Sequence, residues 1–257
     1  MAKKRQLIAA LQAKRTALIS RTVTRGLPPQ VAREAGFHEN PPLKPSGIQW
    51  LGDVPEHWQV IKTTHGFGLI GSGTTPLTDI AEYYDGDVPW VTTSELRETV
   101  ITDTHDYVSS KALKDLSALK TYPAGSLMIA MYGATVGRLG ILGIPATCNQ
   151  ACCVFAQPIS FHTKFVFYWL WMRKPILISI ATGGGQPNLS QDDLRSLRIP
   201  APEMSEQIAI AAFLDRETAK IDALVAKVEA AIEELQQYRT ALISSAVTGK
   251  IDVRSAA

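Results

Sequence analysis

The sequence is short of cysteine, of long apolar runs and of net charge, and each shortage excludes something. Its three cysteines, Cys148, Cys152 and Cys153, lie close together. An odd count at that spacing fits no disulfide framework. A zinc site would lack both a Cys-x-x-Cys pair and a fourth ligand. The expectation is therefore buried, reduced thiols in a cytoplasmic protein, with no metal. No run of about 18 apolar residues occurs, so no membrane span is expected. The first residues are basic and polar without an apolar core, so no secretory signal is expected either. The formal net charge is only +2, whereas a free-standing DNA binder usually shows a basic excess.

That small charge is unevenly spread. Residues 1–26 carry Lys3, Lys4, Arg5, Lys14, Arg15, Arg21 and Arg25 and no acid. Residues 46–202 hold 11 bases against 13 acids, and residues 203–245 hold 4 against 8. If the middle of the chain reads DNA, much of the phosphate affinity should come from a partner.

What the sequence does contain is a repeat. Residues 11–27 read LQAKRTALISRTVTRGL and residues 235–251 read LQQYRTALISSAVTGKI, with 10 of 17 positions identical at an offset of 224. One structural unit therefore occurs on either side of everything else. The second copy belongs to a longer helix. Ile210, Leu214, Glu217, Ile221, Leu224, Val228, Ala231, Leu235, Tyr238 and Leu242 follow one another in alternating steps of four and three. This is a heptad seam, and so narrow a stripe calls for a partner helix. Pro200 and Pro202 precede it, Ser205 with Glu206 and Gln207 offers capping chemistry, and Gly249 lies just past its end. In the first copy Leu7, Leu11 and Leu18 take seam positions, with Lys14 where Tyr238 sits. The organisation expected is a helix over 1–26, a proline-rich linker over 27–45, a domain over 46–202, a long helix over 203–248 and a tail over 249–257.

The central domain reads as mixed α/β with many loops. Val88–Thr92, Ser126–Met131 and Cys152–Ala156 have the short, β-branched texture of strands. Lys164–Met172 reads as a helix, and Asp192–Leu197 as another after the cap Ser190. Four loops are built from small polar residues: Gly71–Pro76, Thr92–Ser94, Tyr132–Arg138 and Gly183–Asn188. Glycine lets a backbone approach a ligand, and Ser, Thr, Asn and Gln can bond base edges or phosphates. The same composition also suits ordinary turns.

Three catalytic readings fail on the residues. Asn40-Pro41-Pro42-Leu43 resembles the Asn-Pro-Pro-aromatic motif of DNA amino-methyltransferases, but Leu43 replaces the aromatic and no Gly-rich cofactor loop precedes it. Gly133–Gly140 lacks the Gly-Lys-Ser/Thr ending of a phosphate-binding loop. Asp85, Asp87, Asp103 and Asp106 have no carboxylate-lysine partner motif, and His38, His57, His65, His105 and His162 show no ligand spacing. No cofactor is expected.

Taken in order, the blocks resemble a known family. Ser46-Gly47-Ile48-Gln49-Trp50-Leu51-Gly52-Asp53-Val54-Pro55-Glu56-His57-Trp58 is similar to the opening of a recognition domain in type I restriction-modification specificity subunits. Gly71–Pro76 with Tyr83, Tyr84, Gly86 and Asp87–Val91 resembles the next block. Pro123–Ser126 through Gly133–Gly137 and Asn149-Gln150 resembles a third. Gln186–Ser190, Ile199-Pro200 and Glu206-Gln207 resemble the passage into the family's helix.

The resemblance implies a non-catalytic subunit with an α+β target-recognition domain flanked by helices that form an antiparallel coiled coil. It implies double-stranded DNA as a partner. It also implies methyltransferase subunits docked on the helices, and a translocating restriction subunit that joins the complex. A usual member carries two recognition domains, each reading one part of a bipartite site; here there is one. The first copy of the repeat starts inside a helix, so a C-terminal half of such a subunit is expected.

Two copies would pair through Ile210, Leu214, Ile221, Leu224, Val228, Leu235, Tyr238 and Leu242, or the chain would pair with another half-subunit. Ser72, Thr74, Thr75, Thr93, Ser94, Tyr132, Thr135, Arg138 and Gln186 are the candidate base contacts, chosen by loop chemistry. Asn149 and Gln150 stay outside that set because their place also suits a structural role. A coiled-coil adaptor or inhibitor that occupies the methyltransferase without reading DNA remains open, kept alive by the near-neutral central domain.

Overall fold

Residues with alternating and with continuous apolar patterns divide the chain into sheet and helix much as their periods require. A computed structural model describes residues 1–180 and 188–250. Seven helices are described: α1 (Ala2–Arg25), α2 (Pro29–Glu34), α3 (Thr63–Gly66), α4 (Ser110–Asp115), α5 (Thr163–Ile180), α6 (Gln191–Ser196) and α7 (Met204–Val247). The strands are β1 (Leu43–Pro45), β2 (Asp53–Pro55), β3 (Gln59–Lys62), β4 (Phe67–Gly71), β5 (Val88–Val91), β6 (Thr99–Ile101), β7 (Asp106–Val108), β8 (Leu127–Ala130), β9 (Leu139–Leu142), β10 (Thr147–Cys148), β11 (Cys152–Pro158) and β12 (Arg198–Ala201). Two compact units result, one of Met1–Ile19 with Ala212–Ala257 and one of Ser20–Ala211.

The larger unit is organised by a five-stranded sheet in the order β4-β11-β8-β9-β6. Its first three pairings are antiparallel and β6 runs parallel to β9. Strand β11 is buried on both faces, from Cys152 to Ala156, which is why its apolar residues run without alternation. Cys152, Val154 and Ala156 join a core with Val91, Leu96, Tyr122, Met128 and Leu142. On the other face Phe155 packs on Phe67, which also meets Phe161 at the entrance to α5, with ring centroids 5.4 and 5.6 Å apart. A smaller sheet, β10-β5-β7, builds a second core of Tyr83, Trp90, Val108, Ala112 and Leu119.

The three cysteines are free and buried. Burial pushes the Cys153 thiol up, and a hydrogen bond with Cys148 together with burial does the same to Cys152, so both stay protonated.

The block Ser46–Trp58 is an anchor. Trp50 meets Trp169 edge-on at 5.9 Å and carries the Arg173 guanidinium 3.4 Å above its ring, while Trp58 meets Phe165 at 6.1 Å. Burial pushes the Arg173 guanidinium down to about 10. The tryptophans thus tie this segment to α5.

Several expectations shift. The five strands and helices read from the sequence lie where expected. Helix α5, however, runs on to Ile180 through Pro175. The segment read as a linker contains α2 and then β1, which pairs antiparallel with β2. Proline at the first helical turn and on a short strand costs no hydrogen bond, so its abundance did not exclude structure. Glu206 and Gln207 are not capping groups. Glu206 Oε2 lies 2.9 Å from His57 Nε2. Gln207 is fully buried; its Nε2 donates to the carbonyls of Ser160 and Pro202, each at 2.9 Å, and its Oε1 accepts from the His162 N–H at 2.8 Å.

In the smaller unit, the Arg15 Nε donates to Asp222 Oδ1 at 3.0 Å. Ile19, Leu214, Thr218 and Ile221 are buried, whereas Leu7, Leu224, Leu235, Tyr238 and Leu242 are exposed and Leu11, Leu18 and Val228 are intermediate. Ile210, at the end of the larger unit, is also buried. Leu7 is therefore not on the covered stripe of α1, because Ile8 takes that position. Helix α7 is 44 residues long, about 66 Å at 1.5 Å per residue. Gly249 closes it in the left-handed region at φ 71°, where the Lys250 N–H reaches back to the Ser245 carbonyl at 2.8 Å.

Gln207→Ala should destabilise the protein by about 2–3 kcal/mol, because it removes three hydrogen bonds to backbone groups, the one to the Pro202 carbonyl fully buried. Glu206→Gln, which keeps a hydrogen-bonding group against His57 in a part-buried contact, should cost about 1 kcal/mol or less. Urea denaturation of the two variants checks the contrast.

Candidate nucleic-acid interface

The register of β11 decides where the polar loops go. Val154 lies opposite Gly71 of β4, and Cys152 opposite Ala130 of β8. Because both pairings are antiparallel, the ends of β4 and β8 and the start of β11 share one edge of the sheet. The chain continues past that edge as Ser72–Pro76, Met131–Thr135 and Asn149–Ala151. Strand β5 ends there too, since β10 brings Cys148 opposite Val91 and the Asn149 N–H donates to the Val91 carbonyl at 3.0 Å. The Met131 N–H donates to the Ala151 carbonyl at 2.8 Å, and Leu189 in turn donates to Met131 at 2.9 Å. Segments far apart in sequence are thereby held together at one rim.

Glycine at position 73 is required by this packing. A Cβ there would lie 1.6 Å from the Cys148 carbonyl oxygen. The close approach locks the 71–76 loop onto the 148–150 loop. The Tyr122 hydroxyl donates to the Ser72 carbonyl at 2.8 Å, the Trp90 indole N–H to the Thr74 carbonyl at 3.2 Å, and the Thr75 hydroxyl to Gln150 Oε1 at 2.7 Å. Core aromatics thus fix the backbone, leaving Ser72 and Thr74 half-buried and Thr75 exposed.

The second loop is a single 3-10 turn, Thr93–Glu95, closed by a capping box. Glu95 Oε2 accepts from the Thr92 N–H at 2.7 Å, and its other oxygen accepts from the His105 N–H at 2.8 Å. One carboxylate therefore orders the Thr93–Ser94 turn and a neighbouring segment at once. Ser94 is exposed and Thr93 half-buried, and the Ser94 carbonyl accepts from Arg97 Nε at 3.2 Å.

In the third loop the Thr135 hydroxyl donates to the Tyr132 carbonyl at 3.2 Å, and Tyr132 is exposed. Tyr132 also bridges to Asn188. Arg138 is half-buried where the chain turns into β9, with its N–H on the Thr135 carbonyl at 2.9 Å. Gln186 lies outside the described residues.

The sequence reading thus named residues from three loops that the fold brings to one rim. It did not foresee Gln150 as the partner of Thr75, nor Arg97 and His105 beside Ser94. The Asp106 carboxylate, 2.8 Å from His105 Nδ1, raises that imidazole above its ordinary value. Asn149 has the structural part, its side-chain oxygen accepting from the Ala151 N–H at 3.1 Å. Among the described residues no group of three or more His, Cys, Asp or Glu side chains could hold a metal ion, and no helix is long and apolar enough to cross a membrane. The rim offers hydroxyls, amides, one exposed phenol and two arginines on a fixed backbone. That chemistry suits hydrogen bonding to a polar surface.

Comparison with known proteins bears on which surface. The family model described as the type I restriction modification DNA specificity domain matches residues 55–234. The MjaIX specificity subunit of a type I restriction enzyme from Methanocaldococcus jannaschii is 30% identical over 170 residues, covering 64% of this chain and 38% of the relative. The EcoR124I/EcoR124II specificity subunit from Escherichia coli is 24% identical over 193 residues, covering 71% and 48%. The chain thus spans less than half the length of either relative. The crystal structure of the HsdS subunit from Thermoanaerobacter tengcongensis shares the fold at a TM-score of 0.59 and 18% identity, over 97% of this chain and 55% of that one. A chain from a structure addressing complex assembly and conformational transition of the type I R-M system does so at 0.66 and 18%, over 95% and 55%. Motif order, fold and family match agree, and the chain belongs to the family of type I restriction-modification DNA specificity domains.

Proposed function

We propose that this chain is the non-catalytic sequence reader of a type I restriction-modification complex, with one recognition domain at residues 46–202. It reads one half of a bipartite site in double-stranded DNA, docks methyltransferase subunits through its helices, and works as a homodimer on an inverted repeat. A restriction-translocase subunit joins through that complex in the cytoplasm. The observation that carries the reading is the gathering of the Ser72–Thr75, Thr93–Ser94 and Tyr132–Thr135 loops at one rim. It gives a surface rich in side chains that bond base edges.

The candidate contacts are Ser72, Thr74, Thr75, Thr93, Ser94, Tyr132, Thr135, Arg138 and Gln186. The bulk charge of the domain supports a division of labour in which partners supply most of the phosphate contacts and this rim supplies selectivity. Closed two-fold symmetry maps onto a palindromic arrangement of half-sites, and a long helix sets their separation.

A methylation assay with the cognate modification subunit on random-sequence DNA tests the reading. Methylation confined to a defined motif supports it. Methylation blocked or unspecific would favour the adaptor reading, which the acid–base balance of residues 46–202 otherwise keeps in play. Within such a motif, Thr75→Ala, Ser94→Ala or Arg138→Ala should relax the preference at a single base pair at a cost of about 1–3 kcal/mol. Uniform weakening over all sequences would reassign that residue to the backbone. One heptad inserted after Val228 lengthens the helix by about 10 Å and should change the unread spacer by about three base pairs. An unchanged spacer would show that α7 is not the ruler.

A further inference from the structure

The duplicated segment has opposite surroundings in its two copies. Ile19 is fully buried and its repeat equivalent Ile243 is 53% exposed. Arg15, whose equivalent is Arg239, is bonded to Asp222 at 3.0 Å, whereas Arg239 is exposed. The ion pair also fixes how α1 lies along α7. In an antiparallel arrangement Ile19 comes opposite buried Thr218, and exposed Leu7 comes opposite the more open stretch beyond Val228. A parallel one would put Leu7 opposite fully buried Leu214. The burial gradients therefore select the antiparallel register. Towards the far end of α7, Tyr238, Leu242, Ile243 and Val247 are all exposed.

We propose that α1 mimics a second copy of this chain: its residues 2–19 occupy, on their own α7, the site that residues 226–243 of another copy's α7 would take. This rests on the homodimer reading above and specifies its register. Placing Arg239 where Arg15 sits puts it on Asp222 of the other copy, and two-fold symmetry repeats the pair. The axis then passes between Ala230 and Ala231, where small side chains permit close approach. In the same register Ile243 faces Thr218, Tyr238 lies within one residue of facing Leu224, and Leu235 and Leu242 lie within two of facing Val228 and Ile221. The seam layers meet within a two-residue offset, and the charges at their flank are complementary.

The second copy is the better occupant. It offers Tyr238 to Leu224 where α1 offers Lys14, and Leu224 remains exposed beside α1. It offers Ala231 at the axis where α1 has Leu7. Self-pairing and dimerisation thus compete for the face around Asp222, and pairing of two copies displaces α1.

Full-length variants and sedimentation equilibrium over a concentration series test this. Arg15→Asp replaces the internal ion pair with a like-charge repulsion and should tighten dimerisation by about fivefold to tenfold; Arg239→Asp should weaken it by a similar factor, and Arg239→Asp with Asp222→Arg should restore it. Ala231→Cys should form a disulfide-linked dimer through its own symmetry mate under mild oxidation, with the native cysteines buried and out of reach. A dimer without that cross-link, or one indifferent to Arg239 and Asp222, overturns the register while leaving the dimer intact. A cross-linked dimer unmoved by Arg15→Asp overturns the mimicry. A monomer throughout, in every variant, overturns the homodimer reading itself.

Discussion

The two-sided burial of β11 is the constraint on which the rest depends. A strand covered on both faces tolerates no slip in register, because a shift by one residue would exchange the Cys152, Val154 and Ala156 side chains with those of Cys153 and Phe155. With β11 fixed, β4 and β8 are fixed on either side of it, and so are the points at which their loops leave the sheet. On the proposed function, the selectivity of the rim begins in an apolar core. There, polar side chains at loop positions could be exchanged to read a different surface while Gly73, Tyr122 and Trp90 hold the backbone they stand on. This separation of a rigid support from a variable face is what a recognition module needs.

The parts legible in the sequence were those governed by a local period or by identity. The heptad stripe of α7 and the repeat announced the helices. The continuous run of β11 and the Ser190 cap announced elements whose signals lie within a few residues. Short strands such as β1, β2, β6 and β7, three residues each, carry too few positions to show alternation. Gln207 misled for a different reason. Its place near a helix start suggested capping, but its partners at Ser160, Pro202 and His162 are set by tertiary structure. At the rim, residue type was readable and convergence was not. Nothing local says that Thr75 meets Gln150, or that Glu95 holds both Thr92 and His105.

Charge points the same way as geometry. The domain that carries the polar loops has no basic excess, while the basic residues collect in the first 26 positions. Affinity for a polyanion and selectivity among its sequences draw on different groups, since phosphate contacts position and base contacts discriminate. A reader whose own face is nearly neutral binds poorly where it is alone and discriminates where a partner supplies the attraction. On the proposed function, that favours recognition only within the assembled complex.

The repeat makes a general point about how sequence relates to surface. RTALIS is helical at both ends of the chain, because helix formation follows from propensities and hydrogen bonds within the segment. Whether its apolar side chains are covered is decided elsewhere, by what lies alongside. Identical residues thus give a covered stripe in α1 and an open one in α7. An open apolar stripe on a long helix is energetically costly in water, at roughly 25 cal/mol per Å². That cost is the driving force available to any helix of matching register. The first copy supplies such a helix, with lysine at the position where the second has tyrosine. On the proposed register, the difference between the two copies, more than their likeness, determines which pairing the distal stripe favours.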